Sequence, residues 1–304
     1  MNTAAASRLR PARLCRSWLL LEGANEAVLQ RAAASGADVL IQELEDFTPP
    51  GLRPAARALA PELYRSWRTA GAVVGVRVNP LELDGMDDLA AVMRGRPDIV
   101  ALPKVAEPEQ IARLDAAVAR FERDYGIPAG STALLPNIEF ARGLVQTDAI
   151  AKASRRTTAC LLAAEDLAAD LGAERGQDGF ELAYCRQRFL VECIAAGVVA
   201  VDCPYTWSDI DGATRDTAWA RRLGYVAKSL VDPAHASAVN GVLTPNDREL
   251  HHAAAIVAAF EAARAAGEAR VELAGSLVEL PTYATAKRLL ARGEALRQFE
   301  RDTA

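Results

Sequence analysis

The sequence predicts an α/β fold, a (β/α)8 TIM barrel that is followed by an extra C-terminal helical segment. Three observations predict it: eight short apolar runs each end in an ionisable residue, helical patterns separate the runs, and the 304 residues exceed the ~250 that such a barrel needs. Apolar runs of four to eight residues between polar residues are typical of strands that are buried on both faces. The runs cover residues 18–22, 39–43, 73–77, 99–104, 134–139, 160–166, 198–202 and 225–228.

Helical patterns lie between the runs. Residues 26–34 lead to Gly36, residues 108–121 begin with a proline, and residues 179–196 stop at Gly197, which are common helix boundaries. Alternation of strands and helices at intervals of ~25–35 residues indicates parallel βα units. A doubly wound open sheet would give the same alternation, but no GxGxxG motif follows the first run, and eight charged run ends favour a closed barrel.

The chain is expected to consist of three parts. Its first sixteen residues contain four arginines and no acid, which indicates a solvated tail, and a long segment remains beyond the last run. The parts are a flexible N-terminal tail (1–15), the barrel (16–245) and a C-terminal helical extension at the subunit interface (246–304), in which helices at 246–267 and 282–303 flank a compact turn at 275–281.

Composition excludes several classes of protein. The formal charge is −5, and no basic stripe indicates a nucleic-acid partner. No apolar stretch approaches the ~18 residues of a membrane span. The five cysteines are widely spaced and form no CxxC pair, which favours reduced thiols in a cytoplasmic protein over a disulfide or a zinc site.

The ionisable ends of the runs predict a metal site. Side chains that follow parallel strands gather at the C-terminal mouth of a barrel, where barrel enzymes have their active sites. Carboxylates that lie so close repel one another unless a cation is bound among them, so the pattern predicts a divalent metal ion. The residues expected at the mouth are Glu45, Asp46, Glu139, Glu165, Asp166 and Asp202, together with Arg77, Lys104 and Lys228.

Glu139 and Asp166 are the candidate metal ligands. They end neighbouring predicted strands, which lie ~5 Å apart, so one carboxylate from each strand can bind one Mg²⁺ or Mn²⁺. Water and substrate oxygens would complete the coordination of the metal. The structural alternative is that Glu139 pairs with Arg142 and that Asp166 caps the helix that follows it.

Further acids are expected around the metal. Glu43, Glu45 and Asp46 lie together before two prolines, and strand alternation points Glu43 and Glu45 to the same side. These residues either form a solvated loop or, with Glu165, hydrogen-bond the water that is bound to the metal.

Two cations join Glu139 as candidate substrate-binding residues. Arg77 lies between valines in a predicted core strand, where a lone charge is costly, and its planar fork suits a carboxylate or an enolate oxygen. An ion pair to Glu45 or Asp46 is the structural alternative. Lys104 follows a strand, and the predicted metal favours an electrostatic role for its amine over a Schiff base.

Short motifs occur in a fixed order along the chain. They include Leu-Glu-Asp at 44–46, Asn-Ile-Glu at 137–139 and Gly-Ser-Leu-Val-Glu-Leu-Pro at 275–281, and the others cover residues 16–21, 76–80, 102–105, 164–172, 195–198, 228, 239–240 and 245. Together they resemble the citrate lyase beta-subunit-like family, which belongs with the HpcH/HpaI aldolases and the malyl- and citramalyl-CoA lyases. The resemblance runs from Arg16 to about Leu296.

The resemblance implies a modified β/α barrel that assembles as a homotrimer or as a hexamer made of two trimers. It implies that Glu139 and Asp166 bind the metal and that Arg77 binds the substrate. It also implies that the residue at position 279, here Glu279, enters the active site of a neighbouring subunit as the catalytic acid/base.

The chain departs from the family pattern at four positions. Glu22 stands where the family has a proline, Asp232 where it has a histidine, and Glu43 and Glu279 where it has aspartates. Glu22 and Asp232 add negative charge near the expected nucleotide end of the substrate, which disfavours a polyphosphate such as CoA. Glu279 is one CH₂ longer than aspartate, so its placement would differ.

The activity that the resemblance implies is a Mg²⁺-dependent, reversible aldol or Claisen cleavage. The substrate would be a hydroxy-dicarboxylic acid or its CoA thioester, of the citryl, malyl or citramalyl type, and a 2-oxo acid would be released. Whether CoA forms part of the substrate stays open. The alternatives are a non-catalytic or ligand-sensing subunit of a larger complex, and an aldolase that acts on a 2-oxo-acid substrate without CoA.

Overall fold

The computed structural model describes residues 9–303. This part of the chain divides into two compact units, Leu9–Leu243 and the residues from Thr244 onward, next to the boundary expected at residue 245. In the first unit, parallel strands form a closed eight-stranded barrel, which confirms the predicted fold class. The strands are β1 Ser17–Glu22, β2 Val39–Glu43, β3 Val73–Arg77, β4 Ile99–Leu102, β5 Ala133–Ile138, β6 Ala159–Leu162, β7 Val199–Asp202 and β8 Ala227–Leu230.

Helices follow the strands along the chain. Several begin with recognisable sequence signals: the side chain of Asn25 accepts a hydrogen bond from the backbone N–H of Val28, and a capping box of Glu107 and Gln110 starts the fourth helix. The helices of the first unit are α1 Glu26–Ala32, α2 Arg53–Thr69, α3 Gly85–Val92, α4 Pro108–Asp124, α5 Ala141–Leu144, α6 Thr147–Lys152, α7 Ala164–Leu171, α8 Ala183–Ala196, α9 Ile210–Leu223 and α10 Ala236–Leu243.

Alternation along the strands produces two hydrophobic cores. Trp18, Ile41 and Leu135 belong to the core inside the barrel, whereas Leu19 and Leu40 belong to the core between the barrel and its helices. Successive side chains of a strand point to opposite sides. A residue's position in its strand therefore decides whether it faces the barrel interior or the helices.

The strand register brings charged residues together at the C-terminal end of the barrel. Glu22 of β1 lies beside Glu43 of β2, and Glu43 lies beside Arg77 of β3. Each of these three residues is the last in its strand. β8 closes the barrel against β1, where Lys228 lies beside Ser17.

The predicted N-terminal tail is only partly covered by the structure. Residues 1–8 lie outside the described residues. Residues 12–14 form a turn of 3-10 helix, and Cys15, predicted to be in the tail, is 1% exposed. Its carbonyl accepts a hydrogen bond from Trp18 Nε1 at 3.2 Å. The assignment of residues 12–15 to a flexible tail was therefore wrong, because this segment is packed against the barrel.

The second unit is a helical hairpin with a short β-hairpin between its helices. It contains α11 Asp247–Ala265, β9 Val271–Leu273, β10 Ser276–Val278 and α12 Leu280–Thr303. The predicted compact turn at 275–281 is instead mostly strand β10 and the start of α12. The turn itself is made by Ala274 and Gly275, whose φ angles are 51° and 79°. Phe260 and Tyr283 stack between α11 and α12 with ring centroids 4.8 Å apart.

No helix among the described residues is both long enough and apolar enough to cross a membrane. All five cysteines are buried.

Candidate active site

Arg77 lies at the centre of the charged cluster inside the C-terminal end of the barrel. Its Nε donates to Glu43 Oε1 at 2.9 Å, and its two terminal nitrogens lie 3.5 Å from Glu45 Oε2 and 3.6 Å from Glu139 Oε1. Burial alone would lower the pKa of Arg77, but the three carboxylates raise it above its ordinary value. Arg77 is therefore a permanent cation, and the ion pair predicted as its structural alternative is present with Glu45 but not with Asp46.

Glu43 fixes both Arg77 and the loop that follows β2. Its carboxylate accepts hydrogen bonds from the backbone N–H groups of Glu45 at 2.6 Å and Phe47 at 2.7 Å, and the side chain is fully buried. The ring of Phe47 lies 5.4 Å from the guanidinium carbon of Arg77. Glu43 and Glu45 are thus not part of a solvated loop, although Asp46 is half exposed.

Lys104 connects the loop after β2 with the end of β4. Its amine bonds to Glu45 and lies 3.0 Å from Asp46 Oδ2. Burial acts to lower the pKa of Lys104, but the hydrogen bonds to Glu45 and Asp46 outweigh it and raise the pKa above its ordinary value. A protonated amine is a poor nucleophile, which agrees with an electrostatic role rather than a Schiff base. The backbone of Lys104 is left-handed, with φ 56°, a strained conformation that is frequent near functional sites.

Glu139 follows β5 and is fully buried, yet neither oxygen of its carboxylate has a hydrogen-bond partner among the described residues. Burial raises the pKa of Glu139 to about 8, and the charges of Asp166 and Glu45 add to the rise, whereas Arg77 opposes it. The structural alternative for Glu139 is not formed, because Arg142 pairs with Glu107 instead. A buried carboxylate without donors is costly unless a cation is bound to it.

Asp166 lies in the first turn of α7, close enough to Glu139 for its charge to raise the pKa of that residue. Its side chain forms no hydrogen bond or ion pair with the rest of the described chain. It does not cap α7, since the helix is preceded by Ala163. Glu165 is exposed and is held by Arg175 Nε at 3.1 Å and Thr206 Oγ1 at 2.8 Å.

Asn137 is a buried site residue that the sequence argument missed. It belongs to β5 and lies two residues before Glu139, which follows the strand, so both side chains face the barrel interior. Asn137 is fully buried, and neither its amide nitrogen nor its amide oxygen has a hydrogen-bond partner among the described residues. The alternation of residues 134–139 could have revealed it, because it places a polar side chain on the same side as Leu135 and Glu139.

Asp202 and Lys228 do not join the cluster, contrary to the prediction from the run ends. Lys228 Nζ lies 2.7 Å from Asp202 Oδ2 and 2.6 Å from Asp216 Oδ2, and Arg186 binds both acids at 2.6 Å and 2.7 Å. Arg186 belongs to α8 and Asp216 to α9, so these four residues lie between the barrel and its outer helices. The physical reason is alternation: Asp202 follows Val201, which faces the interior, and therefore points outward.

The donor set fits a hard divalent cation. No group of three or more His, Cys, Asp or Glu side chains within residues 9–303 is arranged to hold a metal by itself. Magnesium, however, usually binds to one or two carboxylates and keeps water or substrate oxygens as its other ligands. Glu139 and Asp166 supply two such carboxylates, and Glu139 accepts no hydrogen bond from the described residues, although Arg77 lies 3.6 Å from it. Acids outnumber cations around this position, so the local charge is negative and attracts the ion. The acids are Glu43, Glu45, Asp46, Glu139 and Asp166, and the cations are Arg77 and Lys104.

Other residues singled out from the sequence have different environments. Asp232 accepts a hydrogen bond from the backbone N–H of Ala234 at 2.8 Å and caps a 3-10 turn after β8. Glu22 ends β1 and is partly buried. Glu279 belongs to the second unit, where it is exposed immediately before α12. Its predicted role in a neighbouring subunit stays a prediction.

Comparison with known proteins gives consistent matches along the chain. The family model described as HpcH/HpaI aldolase/citrate lyase matches residues 16–233. The citrate lyase subunit beta of Escherichia coli (strain K12) is 34% identical, over 95% of this chain and 97% of the relative. An L-malyl-CoA/beta-methylmalyl-CoA lyase of Cereibacter sphaeroides is 29% identical, over 94% of this chain and 96% of the relative.

Solved structures show the same similarity. CitE of Mycobacterium tuberculosis in complex with magnesium, acetoacetate and coenzyme A superimposes with a TM-score of 0.73 and 26% identity, covering 93% of this chain and 99% of that one. The citrate lyase beta subunit of the same organism, complexed with oxaloacetate and magnesium, gives 0.61 and 27%, covering 77% and 99%. A citrate lyase from Burkholderia xenovorans LB400 gives 0.79 at 19% identity over 91% and 92%, which shows the fold.

Proposed function

The chain belongs to the HpcH/HpaI aldolase/citrate lyase family, and from this premise we propose that it is a Mg²⁺-dependent carbon–carbon lyase. The substrate would be a hydroxy-dicarboxylic acid or its CoA thioester, cleaved reversibly by an aldol or Claisen step to release a 2-oxo acid. Relatives are named citrate lyase subunit beta and malyl-CoA lyase. Related structures hold magnesium with oxaloacetate or with acetoacetate and coenzyme A.

The observation that carries the proposal is the pair of neighbouring carboxylates at the barrel mouth that accept no hydrogen bonds from the described residues. Glu139 is buried with no hydrogen-bond donor to either oxygen among the described residues, and Asp166 lies close enough for its charge to raise the pKa of Glu139. Such a pair is expected to bind a divalent ion, because Arg77, 3.6 Å from Glu139, offsets only part of the cost of burial and mutual repulsion. Mn²⁺ has the same ligand preference and is expected to substitute for Mg²⁺.

Each residue of the cluster has a distinct part in the proposed reaction. When bound, the metal ion supplies a Lewis acid beside the substrate's 2-oxo and carboxylate oxygens. Arg77 places a fixed positive charge next to Glu139, where it can stabilise negative charge that develops on a substrate oxygen. Glu43 holds the Nε of Arg77, which aims its two terminal nitrogens at Glu45 and Glu139. Lys104 neutralises Glu45 and Asp46, so these acids oppose substrate binding less.

The proton-transfer group is proposed to be Glu279 of a neighbouring subunit. The residue is exposed immediately before α12, and its segment resembles the family motif that is expected to supply this group. The proposal includes assembly as a homotrimer or a hexamer, since the shared site requires at least two chains. Glu279 is one CH₂ longer than aspartate, so its carboxylate would be placed differently, and small misplacements of a catalytic group can cost about a hundredfold in rate.

A role as one subunit of a larger complex is the second candidate. It is favoured by one observation: the 32–34% identical relatives are themselves named as subunits of citrate lyase. In that case the chain would act on a substrate that another subunit presents. The two candidates differ in whether the purified chain is active alone.

The test is a substrate panel assayed with the purified chain. Free hydroxy-dicarboxylic acids and their CoA esters are incubated with Mg²⁺, with Mn²⁺ and without metal, and the release of glyoxylate, pyruvate or oxaloacetate is measured. We expect metal-dependent release from at least one member, and a comparison of free acids with esters decides whether CoA is used. Glu139→Gln is the control for adventitious activity. Absence of release from every substrate with both metals would contradict an enzyme that acts alone.

A further inference from the structure

An aromatic side chain lies at the mouth of the barrel, beside the arginine that is proposed to bind the substrate. The guanidinium carbon of Arg77 is 5.4 Å from the centroid of the Phe47 ring. Arg77 is only 5% exposed, whereas Phe47 is 41% exposed. Because the two side chains are neighbours and only one of them reaches solvent, the ring lies on the solvent side of Arg77. A molecule that approaches Arg77 from the mouth therefore meets this ring.

The backbone of the loop after β2 fixes the position of Phe47. Its N–H donates to Glu43 Oε2 at 2.7 Å, while Glu43 Oε1 accepts from Arg77 Nε at 2.9 Å. One buried carboxylate thus holds both the residue that carries the ring and the arginine under it. Attraction between the guanidinium cation and the π face stabilises the same arrangement. The ring is therefore a preorganised apolar wall beside the proposed active site.

The cations of the cluster are already engaged by carboxylates of the protein. Arg77 lies within 3.6 Å of the carboxylates of three glutamates, and Lys104 pairs with Glu45 and Asp46. The carboxylate next to the 2-oxo group of a substrate would face the bound metal ion. A further carboxylate would meet only these paired cations and the Phe47 ring, and a charge that leaves water without a partner is costly. An uncharged apolar substituent carries no such penalty.

We propose that Phe47 determines which substituent the released 2-oxo acid carries, an inference that rests on the proposed function. The ring would contact the substituent on the carbonyl carbon and would favour a small apolar group, such as methyl or ethyl, over a group that ends in a carboxylate. The favoured substrate class is then a hydroxy-dicarboxylic acid or its thioester of the citramalyl type, which releases pyruvate. Substrates of the citryl type, which release oxaloacetate, are disfavoured.

The test compares 2-oxo acids that differ only in this substituent. Pyruvate carries a methyl group and 2-oxobutyrate an ethyl group, whereas oxaloacetate has a carboxylate in place of the terminal methyl group of 2-oxobutyrate. Each acid is titrated calorimetrically into the whole protein in the presence of Mg²⁺. Oxaloacetate is dissolved immediately before use, because divalent metal ions promote its decarboxylation to pyruvate. The dissociation constants measure selectivity without requiring turnover.

Wild-type protein should bind 2-oxobutyrate and pyruvate about tenfold or more tightly than oxaloacetate. Phe47→Ala removes the apolar contact, so it should bind 2-oxobutyrate about fourfold more weakly and lower its preference over oxaloacetate by at least the same factor. Phe47→Gln replaces the ring by a polar side chain and should show the same loss, so the test does not depend on one variant. Phe47→Tyr keeps the ring and should bind like wild type.

Leu52→Ala is the matched control. Leu52 is an apolar residue, 46% exposed, that lies farther along the same connection between β2 and α2. It is not part of the charged cluster, so its replacement should leave the preference between the acids unchanged. Circular dichroism verifies that each variant is folded.

A preference for 2-oxobutyrate over oxaloacetate that falls in Phe47→Ala and Phe47→Gln, but persists in Phe47→Tyr and Leu52→Ala, supports the proposal. Two results would overturn it and leave the lyase assignment intact. One is wild-type protein that binds oxaloacetate at least as tightly as 2-oxobutyrate. The other is a preference in Phe47→Ala and Phe47→Gln that equals the preference in Leu52→Ala. If none of the three acids binds to wild type, the proposed function fails and this inference fails with it.

Discussion

Magnesium affinity is expected to depend on pH through Glu139. In the metal-free protein, burial raises the pKa of Glu139 to about 8. The metal requires the ionised carboxylate, so a proton must leave when the ion binds. A raised pKa means that the proton is held more tightly, and affinity must therefore fall as the pH is lowered below 8.

The magnitude follows from the pKa. At pH 7 about ten protonated molecules exist for each ionised one, which weakens the apparent affinity about tenfold, or ~1.4 kcal/mol. At pH 6 the same calculation gives about a hundredfold, whereas at pH 9 almost no penalty remains. At pH 7 close to one proton should be released for each Mg²⁺ bound.

Calorimetry at pH 6, 7, 8 and 9, in pairs of buffers with different ionisation enthalpies, measures both the affinity and the protons released. In Glu139→Gln the group cannot ionise, so affinity at pH 9 should drop by at least about tenfold and its pH dependence should flatten. Glu165→Gln is the matched control, because Glu165 is a nearby exposed acid that pairs with Arg175. It should retain the full pH dependence. A wild-type affinity that is the same at pH 6 and pH 9, or tight binding in Glu139→Gln, would refute the reasoning.

The remaining predictions concern the other site residues. Asp166→Asn should abolish measurable Mg²⁺ binding and metal-dependent activity while the melting temperature of the metal-free protein stays unchanged; unaltered calorimetric affinity would exclude Asp166 as a ligand. Arg77→Lys keeps the charge but loses the planar fork, so kcat/KM should fall by about 2–4 kcal/mol of transition-state stabilisation, and wild-type kinetics would make Arg77 purely structural. Asn137→Leu removes two unsatisfied polar atoms, so it should leave thermal stability equal or higher while it lowers kcat/KM; unchanged kinetics would place Asn137 outside the reaction. Co-assembled Glu279→Gln and Asp166→Asn chains should regain activity at interfaces that combine an intact half from each, and an active monomer would contradict the shared site.

The barrel was predictable because its signal is repeated. Each apolar run is short, but eight runs that alternate with helical patterns are compatible with few folds other than a barrel. The structure closes this barrel between β1 and β8. The proximity of Glu139 and Asp166 was predictable for a similar reason, since both are acids that follow neighbouring strands. The position of a residue at the end of a strand does not by itself determine whether its side chain points into or out of the barrel, however. Asp202 and Lys228 satisfied the same rule and point outward.

Other features depend on contacts that a single sequence does not display. The role of Glu43 as an acceptor for two backbone N–H groups and for Arg77 requires the loop conformation after β2. The left-handed backbone of Lys104 was not predictable, because no glycine marks this position in the sequence. The segment before β1 is ordered because Cys15 is buried against the barrel. The sequence does not show this burial, and the arginines near Cys15 are typical of a solvated tail.

The buried ionic set of Arg186, Asp202, Asp216 and Lys228 has an evolutionary consequence. Two acids and two bases compensate one another there, with all four side chains largely or fully excluded from water. Loss of one member leaves a buried charge uncompensated and lowers the folding stability by about 3–5 kcal/mol. Replacement of the whole set by well-packed apolar residues can leave the stability unchanged. Mutations at these positions are therefore strongly epistatic. A lineage can keep the set or lose it, but the single-step intermediates between the two states are the least stable proteins on the path.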